Sequence, residues 1–129
     1  MVGAFCSQVW QPGSELSYYG NGQSFLFRLR PGSPSIWRWC GESVNGTDRF
    51  QRATARFLEV GGGLDSGPAA LRLETGLEMA QSGPSPTFNS ECLIAPEDRE
   101  MQSDLGEGKE YCNFRVSAVD VLGFKSSAF

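Results

Sequence analysis

Histidine is absent from the 129 residues. That excludes a Ser-His-Asp triad, a Cys-His dyad, a histidine-rich zinc site and any imidazole-based proton transfer. Four cysteines are present, Cys6, Cys40, Cys92 and Cys112, and none is spaced from another as a CxxC metal or redox motif requires. Lysine is scarce, with two against nine arginines, and the net charge is −4. A nucleic-acid binder needs the opposite balance. No apolar run reaches the roughly 18 residues of a membrane span. Met1-Val2-Gly3 opens directly into a strand-like pattern without the basic region of a signal peptide. The expectation is a cytosolic chain with reduced thiols.

Hydrophobic residues make up 40% and charged residues 20%, which suits a single folded domain. The 16 glycines and 7 prolines argue for short elements joined by turns. Acidity is concentrated late in the chain. Residues 95–110 carry Glu97, Asp98, Glu100, Asp104, Glu107 and Glu110 against Arg99 and Lys109, and read as an exposed acidic loop.

Period-two alternation marks the strands. Residues 2–9 are short and apolar. In residues 23–30, Phe25, Phe27 and Leu29 face one way, with Leu26 interrupting the polar set opposite. Residues 36–40 return as a hairpin partner, with Trp37 and Trp39 on one face. Residues 48–55 are polar and fit a short helix or an irregular connector. Strands follow at 56–60 and 69–74, with Leu71 and Leu73 on one face, then a turn at Thr75-Gly76 and a return over 77–80. Residues 113–124 close the chain as a long apolar strand. Phe25, Phe27, Leu71 and Leu73 are the expected inward residues. The whole reads as a mostly-β (α+β) domain, a two-sheet antiparallel β-sandwich with one or two short helices.

Chemistry-bearing motifs are few. Gly61-Gly62-Gly63 lacks the rest of a phosphate loop and reads as a strand-end turn with close backbone approach. Trp37 and Trp39 have no basic ladder beside them and read as packing residues. The acids at 97–104 lack the calcium-loop spacing. Glu42 and Glu74 could form a carboxylate pair only if the fold joined them. Cys40, two residues from Arg38, is the thiol with a cation near it in sequence, and the alternative for it is a small buried hydrophobe.

Several segments together resemble the TLD (TLDc) domain, the TBC/LysM-associated module of the oxidation-resistance protein family. Gly3-Ala4-Phe5-Cys6-Ser7 with Trp10 is similar to its opening strand, and Tyr19-Gly20-Asn21-Gly22-Gln23-Ser24-Phe25-Leu26-Phe27 to its "GTGE-FLF" motif. Trp39-Cys40-Gly41-Glu42-Ser43 resembles "WTGEN", and Leu58-Glu59-Val60-Gly61-Gly62-Gly63 the strand that runs into glycines. Ala70 to Leu77, then Ser82, Thr87-Phe88-Asn89 and Leu93, and finally Ala118 to Phe124 with Asp120 and Gly123, match in the family's order. Gln23 stands where Glu is usual, Ser85 where Cys is usual and Leu122 where Trp is usual.

The resemblance implies a single domain over residues 1–129 that lacks the family's leading helices and first strand, with 95–110 as an insertion. It implies no catalytic, cofactor or metal site. It makes Gly20, Gly22, Phe25, Phe27, Trp39, Gly41, Glu42, Gly61, Gly62, Gly63, Leu71, Leu73, Thr87, Phe88, Asn89, Asp120, Gly123 and Phe124 structural motif residues. The function implied is a non-catalytic interaction module in oxidative-stress protection that binds the cytosolic V-ATPase. Such a module would meet an organelle membrane through that partner, without insertion. Glu97, Asp98, Glu100 and Asp104 are the expected partner contacts. The alternatives are a thiol-based redox protector and a structural adaptor on another assembly such as the cytoskeleton.

Overall fold

The computed structural model describes residues 1–11, 17–30, 32–41, 48–63, 67–95 and 111–123. Eight short strands form two antiparallel sheets. The first sheet holds β1 (Val2–Phe5), β2 (Phe25–Arg28) and β3 (Ser35–Arg38). The second holds β4 (Gln51–Ala53), β5 (Phe57–Val60), β6 (Leu71–Glu74), β7 (Met79–Ser82) and β8 (Cys112–Arg115). Among the described residues there is no helix, so the α component expected beside the mostly-β fold is not seen there.

The register assigns the faces. In the first sheet Ala4 lies opposite Leu26, and Leu26 opposite Trp37. This row points inward, and Leu26 is fully buried. It meets Phe50, Val60, Ala70, Phe88 and Leu93, with Leu71 packed alongside, in one core shared by both sheets. The opposite face carries Phe5 against Phe25, with ring centroids 5.2 Å apart, and Phe27 lying over Gly3.

This corrects the sequence reading at β2. Phe25 and Phe27 lie half-buried on the outward face, and the interrupting Leu26 is the core residue. Alternation points to the wrong face, because Phe25, Phe27 and Leu29 share one side while Leu26 is the lone apolar residue among Ser24, Arg28 and Arg30 on the other. Leu26→Ala should therefore cost about 2–5 kcal/mol. Phe27→Ala should cost less, and urea unfolding of the two variants checks the order. An equal or larger loss for Phe27→Ala would overturn the face assignment.

Two further expectations change. Residues 48–55 contain β4, where polar residues pair in register with β5, in place of a helix or connector. The expected strand at 113–124 is only four residues long and starts at Cys112. Beyond it Val121 and Leu122 are 82% and 77% exposed, so the apolar run is not all strand. Leu73 is half-buried and lies on the same face as Leu71.

Candidate functional site

The motif residues gather where the two sheets meet. Trp39 follows β3, and its ring stands edge-on to Phe50, with centroids 6.0 Å apart. Phe50 in turn stands edge-on to Phe88 at 6.0 Å. This geometry places ring edges against ring faces, which favours aromatic pairs beyond their buried area. Gly22 lies directly against Trp39, where any Cβ would overlap the indole. Thr87 is fully buried. Its Oγ1 accepts the Arg49 N–H at 2.9 Å, and its carbonyl accepts the Cys40 thiol at 3.3 Å. Cys40 and Arg49 are thereby each tied to the chain at 86–87.

The glycine run closes the other side. Gly61 has φ 68°, a left-handed conformation that glycine adopts without strain. Gly62 has no such φ. Its constraint is space, because a Cβ would lie 2.7 Å from the Tyr18 hydroxyl and 2.8 Å from Arg49. Gly63 lies against the Pro68 carbonyl, and its own carbonyl accepts from Arg49 Nη1. Gly20 has φ 102° and lies beside Gln51, whose backbone bridges Tyr19. Asn89, with φ 48°, turns the chain after Phe88.

Other motif positions stand apart from this junction. Gly41 is exposed at the end of the β3 segment, and Asp120 and Gly123 are exposed beyond β8. Glu74 is exposed at the end of β6, and its proposed partner Glu42 lies outside the described residues, as do Phe124, Glu97, Asp98, Glu100 and Asp104.

Beside the glycines sits a charged cluster that sequence reasoning missed. Glu59 is 1% exposed on the face of the second sheet opposite Val60. Its cross-strand partners are Arg52 and Arg72. Glu59 Oε1 lies 2.5 Å from Arg52 Nη2 and accepts the Tyr18 hydroxyl at 2.5 Å. Oε2 accepts from Arg72 Nε at 3.0 Å and Nη2 at 2.9 Å. The guanidiniums stack on aromatic faces, Arg52 over Tyr18 at 4.5 Å and Arg72 over Phe57 at 4.3 Å. A legible signal existed. A lone acid interrupts the apolar run Phe57-Leu58-Glu59-Val60, and arginines sit at matching positions in both flanking strands.

With four donors on its two oxygens, Glu59 has no lone pair left to take a proton from a substrate. Burial first, then the hydrogen bond to Glu59 and its negative charge, push the Tyr18 phenol from 10.0 to about 12, with Arg52 and Arg49 opposing. Tyr18 is thus a proton donor to Glu59 and not a nucleophile at neutral pH. Burial likewise pushes the Cys6 thiol up to about 11. The raised phenol implies alkaline lability. A group whose folded pKa exceeds its unfolded one stabilises fully below the unfolded value and loses that contribution as pH climbs through the folded one. Stability should therefore fall between about pH 10 and 12. Tyr18→Phe should flatten that limb of a stability–pH curve, and an unchanged slope would refute the coupling.

Among the described residues no three His, Cys, Asp or Glu side chains converge as a metal-holding group, and no helix is long and apolar enough to cross a membrane. The family model described as the TLDc domain matches residues 1–125. The chain is 33% identical over 89 residues to oxidation resistance protein 1 of Cryptococcus neoformans, a match covering 68% of this chain and 18% of that protein. It is 25% identical over 114 residues to the GTPase-activating protein skywalker of Drosophila melanogaster, covering 79% of this chain and 19% of that protein. The chain therefore spans under a fifth of the length of these relatives. With the glycine-run and Thr-Phe-Asn motifs seated together at the sheet junction, and the family model matched over residues 1–125, the chain belongs to the TLDc domain family.

Proposed function

We propose that this domain is a non-catalytic interaction module in oxidative-stress protection, acting in the cytosol by docking on a protein assembly, with the V-ATPase as its partner. The observation that carries the reading is the outward face of the three-stranded sheet. Phe25 and Phe27 are half-buried there, beside Ile36 at 55% and Leu29 at 46% exposure. Clustered apolar groups on a sheet face are the usual mark of a protein-binding surface. The junction residues support the same reading, because they are committed to joining the sheets. Tyr18 and Cys6 are held in protonated forms that suit structure better than catalysis. The name of the cryptococcal relative places that protein in oxidation resistance.

The acids Glu97, Asp98, Glu100 and Asp104 add a charge-based contact to this proposal, since an acidic segment steers basic partners at low salt. Affinity capture from lysate with the 129-residue chain tests the reading. V-ATPase subunits should be recovered, and Ile36→Asp should abolish recovery without lowering the melting temperature. Capture of cytoskeletal protein in their place would favour the adaptor alternative. Recovery of no stable partner would overturn the reading.

A further inference from the structure

Cys92 and Cys112 lie where β8 meets the segment that leads into Leu93. Their Sγ atoms are 3.5 Å apart, and both side chains are buried, at 2% and 4% exposure. All four cysteines of the chain are thiols. From these positions we infer that Cys92 and Cys112 form a dithiol modification site, which a hydroperoxide converts to an intramolecular disulfide.

The scaffold holds the pair in reach. Cys112 opens β8 and is the register partner of Ser82 in β7. Cys92 precedes Leu93, whose N–H donates to Ser82 Oγ at 2.8 Å. The Ser82 hydroxyl donates in turn to the Ala70 carbonyl at 2.5 Å. One fully buried serine thus fixes the backbone on both sides of the pair. A disulfide bond needs the sulfurs at about 2.0 Å, so each must move by less than about 1 Å, within the reach of side-chain rotation.

The chemistry balances with peroxide alone. One sulfur attacks a peroxide oxygen, so an S–O bond forms and the O–O bond breaks. The leaving hydroxide takes the thiol proton and departs as water. The second sulfur then attacks the sulfenic sulfur, the S–S bond forms, the S–O bond breaks and a second water leaves. The two thiols together lose two electrons and the peroxide gains them. Access comes through β8, a four-residue strand that, among the described residues, pairs only with β7 and ends the second sheet. Edge strands with one partner open locally more readily than central ones. Burial makes the reaction slow, and mild urea should speed it.

The two cysteines are 20 residues apart. A disulfide between them would therefore constrain the unfolded chain, and the melting temperature should rise by on the order of 5–15 °C. The inference is independent of the docking reading, because its test uses the isolated chain and no partner.

The test is to treat the reduced 129-residue chain with hydrogen peroxide and map it by mass spectrometry without reductant. The expected result is an intact mass lower by two hydrogens, a linked peptide containing Cys92 and Cys112, a raised melting temperature, and full reversal by dithiothreitol. The Cys6→Ser/Cys40→Ser double variant should behave identically. Cys92→Ser should lose the link, but the wild-type map decides even if that variant folds poorly. Linkage through Cys6 or Cys40, oxygen addition at Cys92 or Cys112 without a link, or both thiols intact when the methionines are already oxidised would each overturn the assignment.

Discussion

Glu59→Ala should destabilise the domain by about 3–5 kcal/mol, enough to unfold a domain of ordinary stability. The loss would come from what remains. Arg52 and Arg72, each 23% exposed and held 2.5 and 2.9 Å from the buried carboxylate, would face each other across the position it vacates. The Tyr18 hydroxyl would lose its acceptor as well. Partly desolvated charges stripped of their partner cost more than an intact pair contributes, so the deficit belongs to the broken network. A triple replacement, Arg52→Met, Glu59→Leu and Arg72→Met, should therefore be milder than Glu59→Ala alone. Chemical denaturation of the two proteins decides it. If the triple variant proved less stable than the single one, Glu59 would be contributing net attraction.

Phe88→Ala should cost about 3–5 kcal/mol, and Phe88→Leu much less. Phe88 is 2% exposed and belongs to the core shared by both sheets. It also ends the edge-to-face series that begins at Trp39. Truncation leaves a void bordered by Phe50 and Gly61, and the backbone at Gly61 has little room to adjust because it must keep its positive φ. Thermal unfolding of both variants checks this. A Phe88→Ala protein within about 1 kcal/mol of the parent would mean that the junction collapses around the gap or does not carry the core.

Much of this fold could be read from local pattern, and its errors share one cause. Turns at Thr75-Gly76 and the glycine run at 61–63 were legible because backbone conformation is dictated by the residues themselves. The inward face of β2 was not. Phe25, Phe27 and Leu29 outnumber Leu26 in apolar bulk, and only the pairing with Ala4 and Trp37 shows which face is covered. β4 was hidden for a related reason. Arg52 makes the segment look solvated, yet its charge is answered by Glu59 in the next strand. Residues 113–124 misled in the other direction, since apolar composition persists after ladder pairing ends at Arg115. At the candidate site, the family motifs pointed to Thr87, Phe88 and the glycines. They could not reveal Tyr18, which reaches Glu59 across 41 positions of sequence.

Strand order within each sheet follows chain order. As the chain leaves the ribosome, each strand can meet a partner already made. The interval that closes β8 onto β7, from Ser82 to Cys112, is the longest in the second sheet, so its loop entropy is the largest. Among the described residues, every buried member of the shared core, from Leu26 to Leu93, precedes β8. The hydrophobic nucleus can therefore consolidate during synthesis while β8 is still in the exit tunnel. β8 then docks on a finished sheet edge, as a late and separable step of folding.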